Sequence, residues 1–174
     1  NPADAHQTKE AAKAIANWNG PVYLRFGRPD WPVFLENQPF EIGKGLVLKE
    51  GIDVSIFATG HMLWQALEAC RELEKQGIDC ELINIHTIKP LDVDCILKSV
   101  RKTNKVVSCE EHQRNGGLGD SIAQILVQNH PCRQEYVAVN DSFGESGKPM
   151  ELLLKYLFSF DQKVRGPCFR LKQF

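Results

Sequence analysis

The sequence predicts an α/β fold: a doubly wound, mainly parallel (mixed) sheet with helices on both faces. Three observations carry that prediction. From about residue 46, short β-branched and apolar runs alternate with amphipathic helical runs. The connections between them are short, as βα units require. One run, "DVSIFATG", is mostly apolar, the composition of a central strand buried on both sides. Right-handed crossovers then build an open domain over about residues 42–165.

Each element follows in order. "HQTKEAAKAIANWNG" places Ala12, Ile15, Ala16 and Trp18 at helical spacing, with Gly20 where a C-cap would stand. "PVYLRFG" (21–27) alternates Val22, Leu24 and Phe26 against Tyr23 and Arg25 and reads as a strand. "RPDWPVFLENQPFEIGKG" (28–45) holds three prolines and no period, so it is a linker. "LVLKEG" and "DVSIFATG" are strands. "HMLWQALEACRELEKQG" is an amphipathic helix with Leu63, Leu67, Cys70 and Leu73 on one face and Thr59 as its N-cap. "CELINI" is a strand, and "LDVDCILKSVRKT" a helix with Asp92 and Asp94 in its first turn, favourable to its dipole. "KVVSCEE" is a strand, "GDSIAQILVQNH" a helix, "EYVAVN" a strand and "PMELLLKYLF" the last helix. No internal repeat or low-complexity tract interrupts this order.

The bulk numbers exclude several classes. At 174 residues the chain is one domain, or one domain and a piece of another. A net charge of −1 sets up no field for nucleic acid or anionic lipid. No apolar run approaches the roughly 20 residues that cross a bilayer, so the expected setting is cytoplasmic. The six cysteines, Cys70, Cys80, Cys95, Cys109, Cys132 and Cys168, form no C-x-x-C pair and read as reduced structural thiols. The chain starts at Asn1, its first methionine is Met62, and it reads as a fragment of something longer.

The densest polar stretch is "CEEHQRNGGLGDS" (109–121). Glu110, Glu111 and His112 stand at the carboxyl end of a strand, where doubly wound folds gather ligands. Gly116, Gly117 and Gly119 lead into a helix N-terminus that could hold an anion. The spacing matches neither the P-loop nor the dinucleotide fingerprint. A close-packed glycine turn is therefore the favoured reading, with an anion loop or interface as the alternative. "DSFGESGKP" (141–149) reads as a solvated loop in which Glu145 or Ser146 caps. His61 and His86 each lack a second ligand at metal spacing. Arg25 sits in mid-strand, and Arg28 stands just past that strand's end, where a guanidinium can grip a phosphate with two hydrogen bonds.

Taken together, "NPADAHQTKEAAKAI", "GPVYLRFGRP", "VSIFATG", "INIHTIKPLD", "VVSCEEHQRNGGLGDSIAQIL" and "SGKPMELL" resemble transketolases, in which they occur in this order. The resemblance covers the end of a pyrimidine-binding domain (1–41, with the linker) and a transketolase C-terminal domain (42–174). The tail "FSFDQKVRGPCFRLKQF" departs from the family's alanine-rich final helix, which sets residues 160–174 apart.

The resemblance implies a thiamine-diphosphate enzyme, with Mg or Ca, that moves a two-carbon ketol unit between sugar phosphates. In such enzymes the cofactor is the electron sink and the protein supplies orientation and charge. It also implies a homodimer, and upstream thiamine-binding domains or a separate N-terminal subunit that carry the cofactor. This fragment would then bind no cofactor or metal and be inactive alone. Arg28 falls where the family places an arginine for the sugar's phosphate end; Arg25 matches no family ligand and stays structural. The C-terminal domain of deoxyxylulose-phosphate synthase or of a 2-oxoacid dehydrogenase β chain is the related alternative. A free-standing anion-binding or dimerisation module is the unrelated one.

Overall fold

Five strands form one sheet in the order β1-β3-β2-β4-β5, in a computed structural model that describes residues 1–27 and 30–156. The strands are β1 (Leu46–Lys49), β2 (Val54–Ala58), β3 (Cys80–Asn84), β4 (Lys105–Gln113) and β5 (Arg133–Val139). The helices are α1 (Ala5–Ala16), α2 (Met62–Glu74), α3 (Val93–Thr103), α4 (Leu118–Asn129) and α5 (Pro149–Tyr156). β2 to β5 run parallel to their neighbours, and β1 pairs antiparallel with β3 at one edge. The sheet is therefore mainly parallel and mixed, as expected.

Alternation along the strands divides the core. Val54, Ile56 and Ala58 of β2 join Cys80 and Leu82 of β3 and Val107 and Cys109 of β4 on one face, under Met62, Leu63, Ala66 and Cys70 of α2. Phe57, Ile83 and Val106 face the other way, onto Ile96 and Val100 of α3 and Ile122 and Leu126 of α4. Leu153 of α5 joins the α2 side. Every β2 residue is buried, which is why its run carries almost no polar side chain.

A polar cluster sits under α3. Ser55 Oγ lies 2.6 Å from Ser99 Oγ and 2.7 Å from Thr103 Oγ1. Ser99 donates to the buried Glu81, and Lys102 Nζ lies 2.5 Å from Glu81 Oε1 and 2.6 Å from Glu50 Oε2. The buried charge is thus paired and hydrogen-bonded, the condition for tolerating it.

Some expectations need correction. Residues 21–27 form no strand: no strand pairs with them among the described residues, and Tyr23 and Phe26 are exposed. An alternating pattern without a partner ladder has nowhere to place its N–H groups except water. Asn17, not Gly20, ends α1, its N–H reaching Ala14 O while Trp18 N–H reaches Ile15 O. His61, not Thr59, occupies the N-cap of α2 and makes no side-chain cap bond. Asp92 stands at the N-cap of α3, just before the first turn expected for it, and accepts from Cys95 N at 3.1 Å; Asp94 lies in that turn. Glu145 does not cap α5; it pairs with Lys155. β4 runs to Gln113, two residues past the expected "KVVSCEE", so His112 joins Glu110 and Glu111 in the strand.

The described cysteines, Cys70, Cys80, Cys95, Cys109 and Cys132, are all unpaired. Cys168 and the tail from residue 157 lie outside the described residues. No described helix is long and apolar enough to cross a membrane.

Candidate functional site

The four strands β2 to β5 end at the same edge of the sheet. The chain leaves β2 toward β3 on one side and β4 toward β5 on the other, so their connections diverge between β2 and β4. That divergence opens the crevice in which ligands of doubly wound sheets collect. Ala58, the last residue of β2, pairs with Cys109. β4 continues four residues further and carries Glu110 to Gln113 over the crevice.

Glu110 turns inward. Its carboxylate accepts from Leu118 N at 2.7 Å and from Gly119 N at 2.8 Å, in the first turn of α4. The anion held by this helix N-terminus is thus a side chain of the same chain. Burial pushes the Glu110 carboxyl above its ordinary value, and the two backbone donors offset only part of that. The glycines follow from this packing. A Cβ on Gly117 would fall 2.2 Å from Glu110 Oε2, and one on Gly119 2.4 Å from Tyr136 Cδ1 and 2.6 Å from Ser108 Oγ. Gly116 has φ +79°, a left-handed conformation suited to glycine, and its N–H donates to Asp120 at 2.7 Å.

Glu111 points the other way. Its Oε2 lies 3.5 Å from His61 Nδ1, and its Oε1 3.6 Å from Arg25 Nη2. Burial raises the Glu111 carboxyl, but His61, Arg25 and His112 outweigh it and leave it below its ordinary value. The His61 ring is almost fully buried and stacks on Trp31 with centroids 4.8 Å apart. Gly27 lies against the same ring: a Cβ there would fall 1.8 Å from His61 Cε1. His112 Nδ1 stands 3.9 Å from Glu110 Oε2, and burial with the Arg25 charge lowers its pKa.

Two hollows adjoin these groups. One of about 340 Å³ is lined by Gly27, Trp31, His61 and Glu111 on one side and by Val139 and Leu152 on the other. The second, about 910 Å³, runs between residues 21–25 and the ends of β3 and β4, past Arg25, His86, Lys89 and His112. His86 is buried there, and burial pushes its pKa down.

The first residues of the chain, with Phe34 and Leu35, close this edge. Asp4, itself buried, caps α1 by accepting from Gln7 N at 2.7 Å and accepts from Phe34 N and Leu35 N at 2.9 Å each. Gln7 Oε1 accepts from Ala3 N at 2.9 Å and from Asn84 Nδ2 at 3.1 Å. The N-terminal segment is therefore bonded to the sheet rather than trailing from it.

These residues do not form a cradle for a metal–diphosphate group. No cluster of three His, Cys, Asp or Glu side chains at metal-binding distances occurs among the described residues. The helix N-terminus that a diphosphate would use is filled by Glu110. Of the residues singled out in the sequence, the structure brings Glu110, Gly117 and Gly119 together in one contact. It sets Glu111 in a different cluster, beside His61. Arg28 lies outside the described residues, although Gly27 before it and Trp31 beyond it are both placed. No local sequence pattern points to Trp31 or to the pairing of Arg25 with Glu111. His61, which lacks a second ligand at metal spacing in the sequence, belongs to this cluster. Its position one turn past a buried central strand was the available signal.

The profile of the family "Transketolase, C-terminal domain" matches residues 43–162. A 6-deoxy-6-sulfo-D-fructose transketolase subunit of Clostridium sp. (strain MSTE9) is 41% identical over 95% of this chain and 52% of its own length. A putative transketolase C-terminal section of Methanocaldococcus jannaschii is 40% identical over 89% of the chain and 49% of its own. A 1-deoxy-D-xylulose-5-phosphate synthase of Desulforudis audaxviator is 30% identical over 94% of the chain but only 27% of its own length. Among solved structures, one titled "Split gene transketolase, inactive beta4 tetramer" superposes with a TM-score of 0.85 at 46% identity, covering 89% of this chain and 51% of that one. The chain spans about half the length of the split-subunit relatives it matches.

Proposed function

Because the chain belongs to the transketolase family and carries its C-terminal domain over residues 43–162, we propose that it is one portion of a thiamine-diphosphate enzyme that moves a two-carbon ketol unit between sugar phosphates. The observation that carries this reading is the filled helix N-terminus. Glu110 occupies the seat that a phosphate would take at the switch point, in a chain that spans half of its relatives. The cofactor and its Mg or Ca ion then belong to the other half, and this portion supplies scaffold and contact surface.

Several further assignments go with that reading. Residues 1–41 are the end of a pyrimidine-binding domain, and 42–174 the C-terminal domain. Arg28 takes the phosphate end of the sugar, its fork matching two phosphate oxygens. The chain pairs with a second copy as a homodimer and works with upstream domains or a separate subunit. Relatives named as transketolase subunits support a split arrangement, and the tetrameric neighbour supports self-association. Unpaired cysteines suit a reducing, cytoplasmic setting. Transketolase proper is favoured over deoxyxylulose-phosphate synthase by the higher identity and the larger shared fraction of the subunit relatives.

The test is a ketol-transfer assay with the chain alone and with the enzyme completed by its thiamine-binding portion. The chain alone should give no turnover at any cofactor or metal concentration. The completed enzyme should give turnover that needs both. Ketol transfer by the chain alone would overturn the proposal.

A further inference from the structure

We infer that the hollow of about 910 Å³ between α1 and the carboxyl ends of β3 and β4 binds a small organic anion, a flat apolar body that carries one phosphate or carboxylate group. No step of ketol transfer enters this inference, so either reading can fail without the other.

Size and walls set the body of the ligand. The hollow's 910 Å³ lies within the range of roughly 300–1,000 Å³ typical of small-molecule sites and exceeds what a bare oxyanion needs. Ile15 and Trp18 at the end of α1, Phe40 of the linker and Ile88 beyond β3 give it apolar walls. Aromatic walls suit a flat body.

Charge sets the head. Arg25 and Lys89 line the hollow, together with His112. Glu110 is the one carboxylate of that lining among the described residues, and it is already held by Leu118 N and Gly119 N. Arg25 is only loosely engaged, 3.6 Å from Glu111. The hollow therefore offers more uncommitted positive charge than negative, and a planar guanidinium matches a phosphate or a carboxylate equally well.

His86 fixes where the head points. Its side chain is buried, with 3% exposure, and stacks on Phe40 with centroids 4.4 Å apart. Nδ1 lies 2.9 Å from Thr87 Oγ1, and that oxygen already accepts from Gly43 N at 3.2 Å. The Thr87 hydroxyl proton thus goes to Nδ1, which assigns the ring proton to Nε2. Burial pushes the His86 pKa down to about 4, so the ring is neutral at pH 7 and Nε2 is a donor. Nε2 has no hydrogen-bond partner among the described residues. It is also not one of the polar atoms sealed away without one, which are Trp31 Nε1, Asn84 Oδ1 and Gln134 Oε1. Nε2 therefore opens on the hollow that His86 lines. A buried side chain with an unmet donor facing a cavity is satisfied by a ligand oxygen.

The experiment titrates the full chain by calorimetry with phenyl phosphate and with benzoate. Phenol and inorganic phosphate serve as the body and the head alone. At least one aryl anion should bind with a Kd on the order of 0.1 mM, and the tighter of the two identifies the head group. Phenol and inorganic phosphate should each bind at least about tenfold more weakly. His86→Asn keeps a polar atom near the place of Nδ1 and removes Nε2; it should weaken the aryl anion about tenfold. Arg25→Met and Lys89→Met should each weaken it at least about threefold while leaving phenol unchanged. The enzyme completed by its thiamine-binding portion should bind the same anion with the same sensitivity to His86→Asn. Four results would overturn the inference: no binding of either aryl anion at about 10 mM, phenol binding as tightly, binding that none of the three variants weakens, or binding lost in the completed enzyme. Circular dichroism identifies a variant that fails to fold. If His86→Asn is that variant, the Arg25 and Lys89 substitutions, which lie outside the core, decide.

Discussion

At the scale of single residues, the 109–121 stretch shows how one motif serves two purposes. Glu110 satisfies a helix end from within the strand, while its neighbour Glu111 faces His61 and Arg25 across the crevice. Strand alternation alone sends adjacent carboxylates to opposite sides. The glycines were visible in the sequence, but their reason was not. Gly119 is glycine because Tyr136 and Ser108, from β5 and β4, leave no room for a Cβ. Gly119→Ala sets two effects against each other. Alanine in a helix gains about 1 kcal/mol over glycine, whereas forcing a methyl into close packing costs about 1–3 kcal/mol. The clash with the Tyr136 ring and the buried Ser108 hydroxyl at 2.4–2.6 Å favours the second. We therefore expect a net loss, read as a lowered denaturant midpoint at unchanged m-value. A gain in stability would show that Tyr136 moves aside freely.

At the scale of elements, the helices were the most legible part. Each has an apolar stripe, and Asp92 announced the start of α3, where it caps Cys95 N. The run at 21–27 misled, because alternation reports which residues want a sheet and not whether a partner strand is present. Asp4 was passed over in the sequence although it does the most to fix the N-terminal segment. Asp4→Ala removes the α1 cap, worth about 1 kcal/mol. It also strips the acceptor from Phe34 N and the buried Leu35 N, each unmet donor costing about 1–3 kcal/mol. The expected outcome is a loss of about 2–4 kcal/mol, with hydrogen exchange accelerated in residues 4–16 and 31–36 before the sheet. Uniform acceleration across the sheet would show that Asp4 supports the whole fold and not this segment. Asparagine should rescue only in part, because its Oδ1 can accept from one set of donors while its Nδ2 faces the other.

At the scale of the whole molecule, residues 18–33 present Trp18, Val22, Tyr23, Phe26 and Val33 to solvent. Scattered exposed apolar residues are ordinary, but these five lie close together in the sequence, an enrichment that a partner surface would explain. If the proposed enzyme holds, these side chains are candidates for contact with the thiamine-binding portion. Tyr23→Ser should then leave the chain's own stability within about 0.5 kcal/mol and weaken its association with that portion at least about tenfold, the order of one lost aromatic anchor. Unchanged association, measured by titration calorimetry or sedimentation, would place the contact elsewhere. The sequence by itself determined the α/β class, the order of elements from β1 onward and the family, since periodicity and turn chemistry are local properties that survive without coordinates. Only the tertiary structure decided that Glu110 fills its own helix end and that His61, Trp31, Gly27 and Glu111 meet beside Arg25. Those contacts join residues far apart in the chain, and no local pattern encodes which partners the folded sheet brings within reach.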